Sequence, residues 1–184
     1  MTRIIAGVHR GRRLQVPAGQ DTRPTSDRAR EGLFSSLQSL LDLAGARVLE
    51  LYAGSGALGL EARSRGAGPV TLVERDPAAL AAIRANAALL GEDVEVVAAD
   101  ALTFLTRPPQ DGRPYDLILA DPPYALGVEG LLGVLAPWVL PGGVVVLERA
   151  SRGPEPAWPD GLAAIRSRRY GEATVHYAEV TGRR

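Results

Sequence analysis

Residues 48–59 are Val48-Leu49-Glu50-Leu51-Tyr52-Ala53-Gly54-Ser55-Gly56-Ala57-Leu58-Gly59, a short apolar run that leads directly into the glycine spacing GxGxxG. An apolar run of this length before a glycine-rich turn is typical of a buried strand that opens into a helix. The next apolar run ends at Glu74, twenty residues after Gly54, where a carboxylate can accept hydrogen bonds from ribose hydroxyls. The stretch therefore predicts a strand–turn–helix unit that binds a nucleotide.

From Val48 onward, short apolar runs alternate with longer helical patterns, which is typical of βα repeats in a parallel sheet. Five strands are predicted, over residues 48–52, 70–74, 94–98, 115–120 and 143–148. Asp76 followed by Pro77 predicts the start of a helix and Gly91 predicts its end. Residues 173–180 are expected to add an edge strand. The predicted fold class is α/β, with a doubly wound, mostly parallel sheet.

The region before this sheet predicts a basic β-hairpin. Residues 3–7 and 12–16 flank a short turn at His9-Arg10-Gly11. A helix is then expected to begin at Thr25, Ser26 or Asp27 and to run through Phe34, Leu37, Leu40 and Leu41. We therefore expect an N-terminal hairpin arm over residues 1–24 and one main domain over residues 25–184.

Composition excludes several classes of protein. The chain has 184 residues, of which 46% are hydrophobic and 23% charged, and no apolar run approaches the length of a membrane span. Without cysteine there can be no thiolate nucleophile, no Cys-ligated zinc or iron–sulfur cluster, and no methylation of cytosine carbon-5 through a Cys adduct. The two histidines, His9 and His176, lack ligand spacing, so no metal site is predicted.

The start of the chain lacks the long apolar segment of a signal peptide, which together with the absence of cysteine predicts a cytoplasmic protein. The net charge is zero, yet residues 1–30 hold seven arginines against two aspartates, a local excess of +5. An arginine-rich arm on an acidic body is typical of proteins that bind a polyanion.

Three acids at predicted strand ends favour S-adenosylmethionine over a dinucleotide. Glu50 lies four residues before Gly54, where it can approach the amino end of a zwitterionic ligand, a role that pyrophosphate recognition does not need. Asp100, followed by Ala101, ends a further strand and can receive an adenine amino group, while Glu74 serves the ribose. The predicted cofactor-binding residues are Glu50, Gly54, Gly56, Glu74, Asp100 and Ala101.

Asp121-Pro122-Pro123-Tyr124 follows the strand predicted over residues 115–120, so it is expected at the ligand crevice of the sheet. The prolines fix φ and provide carbonyls without amide hydrogens. Such a segment could hold a planar heterocycle by its amino group. The Asp121 carboxylate and the Pro122 carbonyl are expected to accept hydrogen bonds from the amine, and Tyr124 to stack on the ring. Whether Asp121 also takes the proton stays open at this point.

Together, residues 50–59, Glu74, Asp100 and residues 121–124 resemble class I methyltransferases that act on exocyclic amino groups of nucleic-acid bases. More closely, the chain resembles the RsmD family, bacterial enzymes that methylate guanine N2 in 16S ribosomal RNA. The segments that carry this resemblance are residues 3–7, 10–14, 22–28, 53–62 and 64–67. In this chain, Glu50 and Tyr52 stand where the family pattern has Asp and Phe.

The resemblance implies the class I (Rossmann-like) methyltransferase fold, with seven strands of which one is antiparallel. It also implies S-adenosylmethionine as cofactor and 16S ribosomal RNA or the assembling small ribosomal subunit as partner. Composition and the two histidines lead us to expect no membrane and no metal. We expect a monomer. Asp121, Pro122 and Tyr124 are the expected catalytic residues, with Pro123 at the substrate. The expected RNA phosphate contacts are Arg3, Arg10, Arg12, Arg13 and Arg23.

Three alternatives remain at the level of sequence. The same Asp-Pro-Pro-Tyr motif serves DNA or RNA enzymes that methylate adenine N6 or cytosine N4, although 184 residues leave little room for a separate target-recognition domain. The glycine spacing alone also fits an NAD-dependent oxidoreductase. A non-catalytic RNA-binding module that kept the pocket is the third. The nucleotide that is methylated, and whether naked RNA or a ribosomal particle is the substrate, are left open by the sequence.

Overall fold

The elements of the fold are those of the computed structural model, which describes residues 2–17, 27–109 and 112–181. The strands are β1 (Thr2–Arg3), β2 (Arg13–Leu14), β3 (Val48–Leu51), β4 (Val70–Glu74), β5 (Glu95–Ala98), β6 (Tyr115–Ala120), β7 (Val139–Ala150), β8 (Leu162–Tyr170) and β9 (Ala173–Val180). The α-helices are α1 (Asp27–Leu37), α2 (Ala57–Ser64), α3 (Pro77–Leu90), α4 (Ala101–Leu105) and α5 (Glu129–Gly133), followed by a 3₁₀ turn at Ala136–Trp138.

The central sheet has seven strands in the order β5-β4-β3-β6-β7-β9-β8. Strands β3 to β7 are mutually parallel, and β9 runs antiparallel to its two neighbours. The chain moves outward from β3 to β5 and then returns to place β6 on the other side of β3. The point where the direction changes lies between β3 and β6, which is where open α/β sheets form their ligand crevice. The α/β fold expected from the resemblance is confirmed, including one antiparallel strand and the N-terminal hairpin.

Local signals in the sequence correctly predicted the positions of several helices and strands. The Asp76 carboxylate accepts a hydrogen bond from the Ala79 amide at 2.8 Å and caps α3, with Pro77 in its first turn. Gly91 ends that helix with φ 66°, in the left-handed region that glycine adopts without strain. The five predicted strands are all present, although β5 begins at Glu95 and β7 begins earlier than expected, at Val139.

Two expectations about element positions are wrong. Residues 173–180 form β9, an interior strand between β7 and β8, whereas the edge strand is β8, for which no strand was predicted. Most of β8 is exposed and its centre is Arg166-Ser167-Arg168-Arg169, so it lacks the apolar alternation that reveals a strand. The second expectation concerns α1, which ends at Leu37. Leu40 and Leu41 follow in a turn and still pack against the core.

The described part of the hairpin packs on the main body. Ile4 and Leu14 are buried in a cluster with Leu60, Ala87 and Leu90. The amides of Ile5 and Ala6 donate to the buried Glu61 carboxylate at 2.7 and 3.0 Å, which ties the hairpin to α2. The division between residues 1–24 and 25–184 stays a prediction. The helix caps expected at Thr25 and Ser26 lie outside the described residues.

Candidate active site

A cavity of about 620 Å³ lies at the carboxyl ends of the central strands. Seven of the predicted site residues line it, namely Glu50, Gly54, Glu74, Asp100, Ala101, Asp121 and Pro123. Gly56, Pro122 and Tyr124 are not among its lining residues, and the Tyr124 residue is 49% exposed. The volume is in the range of sites that hold a small molecule or cofactor. Strand order thus brings together acids that are up to 71 residues apart in the chain.

The glycine loop gives the cavity its shape through two different effects. Gly54 and Gly56 have φ values of 57° and 75°, which side chains rarely adopt. Gly59 is required for space, because a Cβ there would lie 2.4 Å from Leu72 Cδ2 and 2.8 Å from Glu50 Oε2. The glycine spacing therefore combines a tight turn with close packing of α2 on the sheet.

Tyr52, which follows β3, has φ 58° and borders the same cavity. A bulky residue in the left-handed region is strained, and such strain is concentrated at functional sites. Leu51 and Ala120 are register partners of the parallel strands β3 and β6. Tyr52 and Asp121 therefore follow neighbouring strands at the same level of the sheet edge.

Glu50 is the most buried of the cavity acids, with 3% of its surface exposed. One carboxylate oxygen, Oε2, accepts a hydrogen bond from the Gly59 amide at 2.8 Å. Burial raises the pKa of Glu50 to about 8, with a further increase from the charge of Glu74, although the Gly59 and Leu58 amides and Arg30 act in the opposite direction. A ligand cation beside Glu50 would favour its charged form.

Glu74 and Asp100 both make contacts that shape the loops around them. The Glu74 carboxylate accepts from the Gly54 amide at 2.9 Å through Oε2, and from the amides of Arg75 and Asp76 through Oε1. Asp100 caps α4 by accepting from the amides of Leu102 and Thr103 at 3.0 and 3.1 Å. Glu74 therefore joins the glycine loop to the β4–α3 turn, while Asp100 fixes the start of α4.

Asp121 lies partly buried at the end of β6. Burial raises its pKa well above the usual aspartate value, the charges of Glu148 and Glu50 raise it further, and Arg149 lowers it. Protonation is therefore easier at Asp121 than at an exposed aspartate. Glu50 belongs to β3, Asp121 follows β6, and Glu148 and Arg149 belong to β7. These three strands are neighbours in the sheet.

Arg149 is a functional candidate that the sequence did not reveal. Its guanidinium donates to the carbonyls of four residues after Asp121, namely Pro122 at 3.4 Å, Pro123 at 3.2 Å, Tyr124 at 2.9 Å and Leu126 at 2.9 Å. These bonds hold the Asp-Pro-Pro-Tyr segment against the end of β7. An arginine at the end of a strand was the only signal in the sequence, and it has meaning only once β7 is known to lie beside β6.

Arg30 and Thr2 also line the cavity and were not predicted. Arg30 is 1% exposed, and its Nη2 donates to the Arg3 carbonyl at 2.6 Å and to Asp27 Oδ1 at 2.9 Å. In the described residues, Arg30 Nε and Thr2 Oγ1 are buried without a hydrogen-bond partner. Buried polar atoms left in this state are uncommon in folded proteins and point to a missing partner.

The predicted RNA-binding arginines Arg3, Arg10, Arg12 and Arg13 are exposed on the hairpin. Arg3 Nε is paired with Asp27 Oδ2 at 2.8 Å. A second cavity, of about 480 Å³, has Arg3, Arg10 and Arg65 in its wall. Arg23 lies outside the described residues. The hairpin also borders the first cavity through Thr2, Val16 and Pro17, so the element that carries these arginines is next to the site.

Residues 2–17, 27–109 and 112–181 contain neither a cluster of metal-ligating side chains nor a membrane-spanning helix. No group of three or more His, Asp or Glu side chains is arranged to hold a metal ion in that part of the chain. Within it, no helix combines the length and the apolar character needed to cross a bilayer.

The chain is similar to known proteins over almost its whole length. A family model described as Conserved hypothetical protein 95 matches residues 2–179. Ribosomal RNA small subunit methyltransferase D of Escherichia coli K12 is 43% identical over 127 residues, which are 68% of this chain but only 62% of that protein. The protein of the same name from Haemophilus influenzae is 36% identical over 152 residues, or 79% of this chain and 77% of that one. The solved structure of yhhF from Escherichia coli has a TM-score of 0.84 and 34% identity, and covers 98% of both chains.

Proposed function

Because this chain belongs to the RsmD family, we propose that it transfers a methyl group from S-adenosylmethionine to the exocyclic N2 amine of a guanine in 16S ribosomal RNA. One observation carries the proposal. Glu50 of β3, Glu74 at the end of β4 and Asp100 after β5 line the same cavity as two residues that follow β6, Asp121 and Pro123. This arrangement supports a cofactor site next to a site for a planar amine in one pocket.

The residues in the cavity wall fit the proposed cofactor. Glu74 and Asp100 provide carboxylate oxygens for ribose hydroxyls and for an adenine amino group, and Glu50 provides one for an ammonium. Gly54, whose φ value requires glycine or a strained residue, lets the backbone come close to the ligand. S-adenosylmethionine, when bound, supplies a methyl group that its sulfonium already activates.

The task of the protein is then to position a weak nucleophile. The lone pair of the guanine amine is delocalised into the ring, so catalysis depends on orientation and on acceptors placed at the amine hydrogens. In the proposal, Asp121 and the Pro122 carbonyl accept those hydrogen bonds. The raised pKa of Asp121 makes its carboxylate a stronger proton acceptor than an exposed aspartate. Tyr124 stacks on the base.

RNA would be held mainly outside this pocket. In the proposal the pocket receives the cofactor and one base, so affinity for a polymer has to come from neighbouring surface. Arg10, Arg12 and Arg13 are exposed on the hairpin, whose Thr2 and Pro17 border the cavity. Arginine binds phosphate oxygens strongly and without sequence preference. We assign these arginines to the RNA backbone, with 16S ribosomal RNA or the assembling small subunit as partner and the protein acting as a monomer.

The proposal is tested by incubating the protein with methyl-labelled S-adenosylmethionine and with small-subunit RNA or particles that lack the modification. Nucleoside analysis should give labelled N2-methylguanosine, and Asp121→Ala should give none. Labelled N6-methyladenosine or N4-methylcytosine would contradict the choice of guanine. A rise in melting temperature with NAD instead of S-adenosylhomocysteine would contradict the methyltransferase assignment itself.

A further inference from the structure

Arg30 is a cation almost wholly removed from water on the wall of the cavity. It lies in the first turn of α1, and its Nη2 has two acceptors, the Arg3 carbonyl and Asp27. Asp27 retains 34% of its side-chain exposure and also pairs with Arg3, so its charge is shared between two arginines. Burying a charge is costly unless an opposite charge compensates for it. Asp27 alone compensates for Arg30 only in part.

Some of the buried polar atoms at and near Arg30 make no hydrogen bond. Within the described residues, Arg30 Nε has no hydrogen-bond partner, and neither has Thr2 Oγ1. Both residues line the same cavity. A buried donor without a partner is destabilising, since it has lost its hydrogen bonds to water. Two such groups in one cavity wall indicate a ligand with oxygen acceptors.

Arg30, Glu50 and Asp121 line the same cavity. Glu50, Glu61 and Asp27 are the acids whose charges act on Arg30, whereas Glu148, Glu50 and Arg149 act on Asp121. Glu50 is common to both groups, so it is near enough to act electrostatically on both Arg30 and Asp121. Arg30 therefore lines the same cavity as Glu50, the acid already assigned to an ammonium, and interacts with its charge.

We propose that Arg30, assisted by the Thr2 hydroxyl, binds the carboxylate of the amino-acid end of the methyl donor. The inference rests on the proposed function and adds a binding residue to it. Glu50 and Arg30 together form a pair of opposite charges that matches an α-amino acid, with its ammonium at Glu50 and its carboxylate at Arg30. The carboxylate supplies the acceptors that Nε and the Thr2 hydroxyl lack, and it compensates for the buried charge.

An RNA phosphate is a less suitable occupant of this position. Only 1% of Arg30 is exposed, and a phosphate that remains in a polynucleotide chain cannot follow it into the cavity wall. The exposed arginines of the hairpin have the access that a phosphate needs. A free carboxylate on a small ligand that fills the cavity reaches Arg30 without this restriction.

The test compares two ligands that differ by the carboxylate alone. These are S-adenosylhomocysteine and its decarboxylated analogue, S-adenosyl-3-thiopropylamine, measured by titration calorimetry on the full chain. The wild type should bind the first about 10-fold or more tightly, as expected for hydrogen bonds to a charged group. In Arg30→Gln this ratio should fall to about 1, while Arg30→Lys should keep part of it.

The ratio of the two affinities is measured within each variant. A general loss of stability weakens the binding of both ligands equally and therefore cancels in the ratio. Arg75→Gln is the matched control, since Arg75 lines the cavity on the Asp100 side and should leave the ratio unchanged. If Arg30→Gln does not fold, Thr2→Val and Arg30→Lys should each still lower the ratio. A wild-type ratio retained in all Arg30 and Thr2 variants would overturn the inference alone. Failure of the wild type to bind S-adenosylhomocysteine would overturn the proposed function, and the inference with it.

Discussion

Arg149 Nη2 donates a hydrogen bond to the Tyr124 carbonyl oxygen across 2.9 Å and thereby ties the end of β7 to the segment after β6. The same guanidinium bonds to the carbonyls of Pro122, Pro123 and Leu126. The two prolines have no amide hydrogen, so the backbone of residues 122 and 123 cannot be held by donating hydrogen bonds to a neighbouring strand. The arginine takes over this function and sets the direction of the Asp-Pro-Pro-Tyr backbone.

Replacing this arginine should impair methyl transfer more than cofactor binding. We expect Arg149→Gln to lower kcat roughly 10- to 100-fold, because small misplacements of reacting groups have effects of that size. Affinity for S-adenosylhomocysteine should be nearly unchanged. The positive charge of Arg149 also lowers the pKa of Asp121, so its loss should move the acidic limb of the pH–rate profile to higher pH. Exposed Arg152→Gln is the control, and an unshifted limb with normal kcat would contradict a positioning role.

The buried acid Glu50 should make the stability of the ligand-free protein depend on pH. Its pKa is about 8 when folded, against 4.5 for the free side chain, so the folded state binds more protons between these values. Its contribution is therefore fully present below pH 4.5 and is lost as the pH rises towards 8. Glu50→Gln cannot ionise and keeps an acceptor for the Gly59 amide.

We expect the free energy of unfolding of the wild type to fall relative to Glu50→Gln by roughly 1 kcal/mol per pH unit between pH 5 and pH 8. Urea denaturation of both proteins across this range measures the difference. Glu179 is exposed, so the curve of unfolding free energy against pH for the control variant Glu179→Gln should be parallel to that of the wild type. Parallel curves for the wild type and Glu50→Gln would show that Glu50 is already ionised in the folded protein.

Tyr124 provides a test of base stacking, since the residue is 49% exposed beside the cavity. Tyr124→Ala should abolish or strongly reduce methyl transfer, with a loss of roughly 1–3 kcal/mol in the binding of the target base. Tyr124→Phe retains the ring and should retain most activity. Cofactor affinity, measured in parallel, should stay near the wild-type value in both. Loss of cofactor binding in a correctly folded Tyr124→Ala protein would refute this assignment.

The hairpin arginines should determine the salt dependence of RNA binding. Deletion of residues 1–21 would test this, but it would also remove Ile4 and Leu14 from their buried cluster. The triple variant Arg10→Gln, Arg12→Gln and Arg13→Gln avoids this difficulty. The slope of log affinity against log salt should decrease by about 2 to 3. A control with the same change of charge is Arg84→Gln, Arg107→Gln and Arg113→Gln, and equal slopes in both triples would argue against the hairpin.

Much of the fold and part of the candidate site could be predicted because their signals are local. Asp76 and Pro77 mark the start of α3 through contacts within three residues, and the glycine spacing in residues 54–59 requires a turn between β3 and α2. The segment 121–124 was recognisable because an apolar strand precedes it. The edge strand β8 was missed for the converse reason, since its residues face solvent and carry no periodic signal.

From sequence alone one could determine that this is an α/β protein with acids at its strand ends, a rigid motif after β6 and basic residues near its N-terminus. Only the tertiary structure decided that Arg149 holds that motif and that Arg30 lies on the cavity wall beside Glu50. The physical reason is that both contacts depend on strand order and on the packing of α1, which bring together residues about 20 to 30 positions apart. Periodicity and capping act over a few residues, and they contain no information about which strands become neighbours.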